Sequence, residues 1–144
     1  MSEDDGGLRS LFRQKLPEFH WQSIETGGTG LGVPDSNYCH DSVDAWIEFK
    51  QTEGFAVTLR PEQIGWLVRR AGAGGLVHVA VRRWHDGGER RGDSVDDLWL
   101  LAGAAAVTIK KQGLRRDARY VVGVWTGGPS RWAWDEVRRH LLRR

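Results

Sequence analysis

Three residues in the stretch GVPDSNYCHDSVDAWIEFKQ have the types and spacing for metal-assisted chemistry on a phosphate: Asp35, Glu48 and Lys50. In an extended chain Glu48 and Lys50 point to one face, about 6.6 Å apart, while Ile47 and Phe49 point to the other. A carboxylate placed among apolar residues is costly unless a cation compensates it, and a divalent metal together with the lysine would do so. Hard oxygen ligands favour Mg²⁺, with Mn²⁺ as a substitute. Asp35, Glu48 and a backbone carbonyl, that of Phe49, would leave further octahedral positions for water and a phosphate oxygen. Lys50 would orient the attacking water or stabilise the developing charge. Taken singly, Glu-x-Lys in a strand is an ordinary cross-strand charge pair and Pro-Asp an ordinary turn. The information lies in the series: Pro34-Asp35, Glu48 thirteen positions on, apolar residues framing Glu48 and Lys50, and then a helix opened by Pro61 that carries Gln63.

Positioning these groups requires a scaffold. Leu8, Leu11, Phe12 and Leu16 recur at near-helical spacing up to Pro17, which predicts a short helix over 8–16. Phe19 to Ile24 alternate like a strand that ends in the loop GGTGLG, and SVDAWIEFK reads as a strand of a central sheet. From Thr58 to Gly72 the period changes: Ile64, Leu67, Val68 and Ala71 mark a helix with Pro61 in its first turn. LVHVAVRRW is the next strand, followed by the polar loop HDGGERRGD. LWLLAG, AAAVTIK and YVVGVW read as further strands, and SRWAWDEVRRHLLRR as a last helix capped by Ser130. Asp41 and Asp44 are expected in a solvated turn.

Composition narrows the class. The 144 residues suit one domain, expected as an acidic, flexible tip over 1–7, a core over 8–83, and C-terminal strands with a basic helix over 84–144. Hydrophobic residues at 40% and charged residues at 28% exclude a disordered polyelectrolyte, and no apolar run reaches a membrane span. The single cysteine, Cys39, excludes an internal disulfide framework, and the acidic start is unlike a secretory signal, so a cytoplasmic location is expected. Scattered histidines and the adjacent Cys39 and His40 do not offer a zinc-binding spacing. The net charge of +2 conceals an asymmetry: residues 1–54 carry ten carboxylates against four bases, and residues 55–144 nine against seventeen. A basic second half points to a polyanion partner.

The ordered series resembles the PD-(D/E)xK nuclease superfamily, and within it the stand-alone VRR-NUC and Holliday-junction-resolvase-like nucleases common in phages. The likeness spans roughly residues 20–83: GVPD with Asp35, WIEFK with Glu48 and Lys50, RPEQ with Gln63, and AGAGG leading into LVHVAVRR. It implies an α/β fold with a restriction-endonuclease-like core, a mixed central sheet flanked by helices in the order αβββαβ. It further implies that Asp35 and Glu48 bind metal, that Lys50 assists the nucleophile, and that Gln63 touches the scissile region. Many members carry another metal-binding glutamate on the first helix. LRSLFRQKL has none, and Glu18 and Glu25 are the nearest substitutes, Glu25 being favoured because its strand runs into the glycine loop before Asp35.

The implied activity is Mg²⁺-dependent endonucleolytic hydrolysis of DNA to a 5′-phosphate, on Holliday junctions or other branched DNA, by a homodimer, in a phage-infected host cytoplasm. A restriction-like or flap nuclease, and a non-catalytic DNA-binding module of the same fold, are the alternatives. Arg60, Arg82, Arg83, Lys110, Lys111, Arg115 and Arg116 are the candidate phosphate contacts, with structure-directed or non-specific binding expected. Arg69 and Arg70 suit either a phosphate or the end of their own helix. Trp46, Trp66 and Trp99 read as core, and of Trp132 and Trp134 one is open to a core place, a dimer contact or base stacking.

Overall fold

The computed structural model of the chain describes residues 5–24, 31–88 and 94–143. The elements in chain order are α1 (Leu8–Lys15), β1 (His20–Ser23), β2 (Ser36–His40), β3 (Val43–Thr52), α2 (Pro61–Gly72), β4 (Leu76–His85), β5 (Val95–Ala102), α3 (Ala106–Gln112), β6 (Val121–Trp125) and α4 (Trp134–Leu141). The six strands of the described residues form one mixed sheet in sequence order. All neighbours are antiparallel except β3 and β4, which run parallel. A parallel pair needs a long crossover, and α2 supplies it. The first six elements follow the order αβββαβ.

Alternation along the central strands divides the core in two. Ala45, Ile47 and Phe49 of β3 join Ala80, Leu98 and Leu100 under α1 and α4, where Leu8, Phe12, Val137 and Leu141 are buried. Val77, Val79, Val81, Trp99 and Leu101 face α2 and α3 through Leu67 and Ile109. The strand period of two therefore sends Glu48 and Lys50 to the side over which α2 crosses. Nothing in this inward placement of a carboxylate is apolar burial; it is forced by the residues on either side of it.

Three expectations are corrected, for Asp44, for AAAVTIK and for the start of the last helix. SNYCH, to which the sequence pattern assigned no element, is a strand: Ser36 and Tyr38 are buried, and a tight turn at Asp41 and Ser42, both at positive φ (50° and 65°), pairs β2 with β3. Asp44 accordingly lies on β3, where it accepts a hydrogen bond from the Asn37 side-chain amide at 2.7 Å. AAAVTIK is not a strand, since its β-branched residues lie in α3, which buries Ala106 and Ile109 at helical spacing and exposes Val107. The last helix starts at Trp134, not after Ser130, because Arg131 and Trp132 turn back onto Gly128 through backbone bonds, and Trp132 is buried. At the start of the described residues the Asp5 side chain accepts the Gly7 N–H at 2.8 Å and the Asp5 backbone carbonyl accepts the Leu8 N–H, which fastens the start of α1.

The tryptophans also sort differently from their expected places. Trp99 is core, whereas Trp46 and Trp66 are half-buried and stack edge-to-face with Arg70 over both rings, so Arg70 is held by aromatic faces. Trp134 packs against Phe12 at 5.2 Å.

His78, on β4 beneath α4, is 4% exposed, and neither ring nitrogen has a hydrogen-bond partner among the described residues. Burial, reinforced by nearby His140, pulls its pKa down from 6.5 to about 4. A depressed histidine favours the folded state at high pH and loses that contribution as pH falls from about 6.5 toward 4. The melting temperature is expected to drop over that interval, and the drop should shrink in His78→Leu; equal acid limbs in the two proteins would refute the assignment.

Candidate functional site

At the end of β3 a cleft of about 420 Å³ is lined by Asp5, Arg9, Asp35, Glu48, Phe49, Lys50, Gln51, Thr58, Arg60 and Gln63. Each wall has a local cause. β2 begins at Ser36, so Asp35 is the residue at which the chain leaves the sheet beside β3, and its backbone N–H donates to Glu48 Oε1 at 3.1 Å. The Asp35 carboxylate returns the contact, accepting the Phe49 N–H at Oδ2 over 3.0 Å. In an extended strand the N–H and C=O of one residue leave on the same edge. The Phe49 carbonyl therefore leaves β3 on the Asp35 side.

Gln63 closes the opposite wall. As the third residue of α2 its Oε1 accepts the Arg60 N–H at 2.9 Å, the reach-back of a capping box. This fixes the orientation of the amide, because a backbone N–H demands the oxygen. Nε2 is then directed at Glu48 Oε2, to which it donates at 2.8 Å, while Lys50 Nζ donates to Gln63 Oε1 at 3.3 Å. Gln63 is buried, and its amide is used within the chain as a strut between α2 and β3.

Electrostatics sets the character of the site. Glu48 is 3% exposed, and its nearest cation, Lys50 Nζ, stands 3.8 Å from Oε2. Burial, with the neighbouring Asp35 charge added, raises the Glu48 carboxyl from 4.5 to about 8 against the opposing pull of Lys50. One lysine does not offset two adjacent carboxylates in this setting. The pair, with the Phe49 carbonyl on the same edge, is an oxygen donor set of the kind a hard divalent cation accepts while keeping several waters. Among the described residues no cluster of three or more acidic, histidine or cysteine side chains is arranged to hold a metal.

The series Asp35, Glu48, Phe49, Lys50, Gln63 and Arg60 is thus brought together. Arg60 is largely exposed at the rim, beside Glu62 at 3.3 Å. Glu25 lies outside the described residues. Glu18 does not reach the cleft but pairs with Arg138 at 2.9 Å. Lys110, Lys111, Arg115 and Arg116 are exposed and away from the cleft walls. Asp5 and Arg9 went unrecognised in the sequence. An acidic residue before a short helix signals only a helix start, and what carries both to the cleft is the seating of α1 on the sheet.

Arg82 is a correction. As a candidate phosphate contact it would need to be free, but it is 8% exposed and forms a two-pronged bond to Asp96 at 2.8 and 2.7 Å, with a third to the Gly6 carbonyl at 2.7 Å. Its neighbour on the other face, Arg83, reaches the surface instead. Removing one partner of a buried ion pair strands the other, so Arg82→Ala is expected to lower unfolding free energy by about 3–5 kcal/mol in urea denaturation. A change within about 0.5 kcal/mol would place the pair among surface bridges of little consequence.

No protein-family model, curated protein or solved structure matches the chain. No helix among the described residues is long and apolar enough to cross a membrane.

Proposed function

We propose that the chain is a divalent-metal-dependent DNA endonuclease with a restriction-endonuclease-like core. The observation that carries this reading is the convergence of Asp35, Glu48, Lys50 and Gln63 on one open cleft, with Glu48 buried beside a second carboxylate. Asp35, Glu48 and the Phe49 carbonyl would hold Mg²⁺ or Mn²⁺, which supplies Lewis acidity and a more acidic bound water. The protein contributes the rest. Gln63 keeps Glu48 Oε2 turned toward α2, the Asp35 N–H steadies Oε1, and the bond from Phe49 N–H locks the Asp35 carboxylate in place. Lys50 offers a positive charge within the cleft for the attacking water or a non-bridging phosphate oxygen, and Arg60 an exposed one at the rim.

A preference for branched DNA and a homodimeric assembly follow from the resemblance to junction-resolving nucleases. Incubation with four-way junction, flap, linear duplex and single-stranded DNA, with Mg²⁺, Mn²⁺ or chelator, tests the reading directly. Metal-dependent cleavage is expected, strongest on a branched substrate. Absence of cleavage on every substrate would overturn the enzymatic reading, and binding without cleavage would favour the non-catalytic module. Phosphate contacts from Arg83, Lys110, Lys111, Arg115 and Arg116 should make affinity fall steeply with salt. A flat response between 50 and 200 mM would return these residues to ordinary surface charge.

A further inference from the structure

Both aromatics that the sequence offered for base stacking near the C-terminus, Trp132 and Trp134, are packed into the core. Another aromatic stands where they do not. Phe55 lies in the segment between β3 and α2, both ends of which line the cleft: Lys50 and Gln51 before it, Thr58 and Arg60 after it. It is 55% exposed. Exposure of a large apolar ring at the tip of a loose loop would mean little, but this loop is fastened. The Phe55 carbonyl accepts the Leu114 N–H at 2.7 Å, and the Gly54 carbonyl accepts Arg83 Nε–H at 3.0 Å. Gly113, at φ +70°, lets the chain approach so closely that a Cβ there would stand 2.2 Å from the Phe55 oxygen. The Arg83 guanidinium lies 4.0 Å over the ring. Arg115 and Arg116, next to the segment Gly113–Leu114 that holds the loop, are exposed.

A flat ring presented rigidly to solvent, with a cation over the ring and further arginines near by, matches the elements that hold single-stranded nucleic acid: a stacking face for a base and charges for its backbone. We propose that Phe55 is a stacking platform for an unpaired base of the substrate, beside the cleft, so that the preferred substrate class is DNA with a single-stranded segment next to the scissile phosphate. This rests on the nuclease reading above.

Binding is measured by fluorescence anisotropy with the Glu48→Gln protein in the presence of Mg²⁺, using a flap duplex with an unpaired strand, a single strand and a fully paired duplex. Adding Phe55→Ala is expected to weaken flap and single-strand binding roughly tenfold, the scale of one lost base–aromatic stack, and to leave duplex binding unchanged. Phe55→Trp should restore the affinity and Phe55→Leu should not. Since the ring is exposed, melting temperatures should stay together, which excludes misfolding as the cause. Equal weakening on all three DNAs, no weakening on any, or rescue by leucine would overturn the platform while leaving the nuclease reading intact. Failure of the Glu48→Gln protein to bind any of the three would overturn both.

Discussion

Glu48→Gln is expected to lower the rate of metal-dependent DNA cleavage by on the order of 10³ or more while DNA affinity stays within a few-fold of the parent. The substitution is nearly isosteric. It removes the negative charge that would hold the cation, yet leaves an oxygen to accept from the Asp35 N–H. Asp35→Ala and Lys50→Ala should cut activity comparably through different losses. Asp35→Ala removes the second carboxylate and frees the Phe49 N–H, whereas Lys50→Ala removes the charge beside Gln63 and Glu48 without touching the proposed cation ligands. Single-turnover cleavage of the best substrate separates the cases: raised Mg²⁺ should partly rescue Asp35→Asn and should not rescue Lys50→Ala. A fully active Glu48→Gln protein would remove the site assignment altogether.

The second large effect is thermodynamic and needs no DNA. In metal-free protein the Glu48 carboxyl titrates near 8 instead of 4.5, so folding favours its protonated form. The contribution is complete below about 4.5 and disappears as pH rises through about 8. Melting temperature in chelator is therefore expected to fall between pH 5 and 8.5, and Glu48→Gln, which has no proton to lose, should flatten the fall. Asp97 is also raised by burial and adds a slope of the same sign, but it is common to both proteins and cancels in the comparison. Adding Mg²⁺ or Mn²⁺ should raise the melting temperature of the parent, more at pH 8 than at pH 6 because proton and cation compete for one carboxylate. The variant should show little of this gain. Parallel pH profiles for parent and variant in chelator would refute the raised carboxyl, and equal metal gains would refute Glu48 as a cation ligand. The acid limb set by His78 overlaps the lower part of this interval with the opposite sign, but it too is common to both proteins and cancels in the comparison.

Much of the site was legible because its logic is local. A strand fixes that Glu48 and Lys50 share a face, whatever lies around them, and Pro61 two residues ahead of Gln63 places that glutamine in the first turn of a helix. Other features misled for equally local reasons. Val107, Thr108 and Ile109 have strand propensity, but packing of Ala106 and Ile109 under the sheet decides for a helix. SNYCH has few apolar residues, so its alternation is carried by a serine and a tyrosine and is hard to see.

Basicity was the least reliable guide, since a charge count is blind to partners. Arg82 and Arg83 are adjacent and chemically identical, yet alternation in β4 sends one to Asp96 and Gly6 in the interior and the other to the surface over Phe55. The sequence by itself determined the strand–helix–strand frame and the face that Glu48 and Lys50 share, because backbone periodicity is a property of neighbours in the chain. Only the tertiary structure decided that Asp35 meets Glu48, that Gln63 braces it, that Asp5 and Arg9 join the cleft, and that Phe55 stands exposed under Arg83. Those relations depend on how far apart in space residues distant in sequence come to rest, and that distance is set by sheet pairing and helix packing.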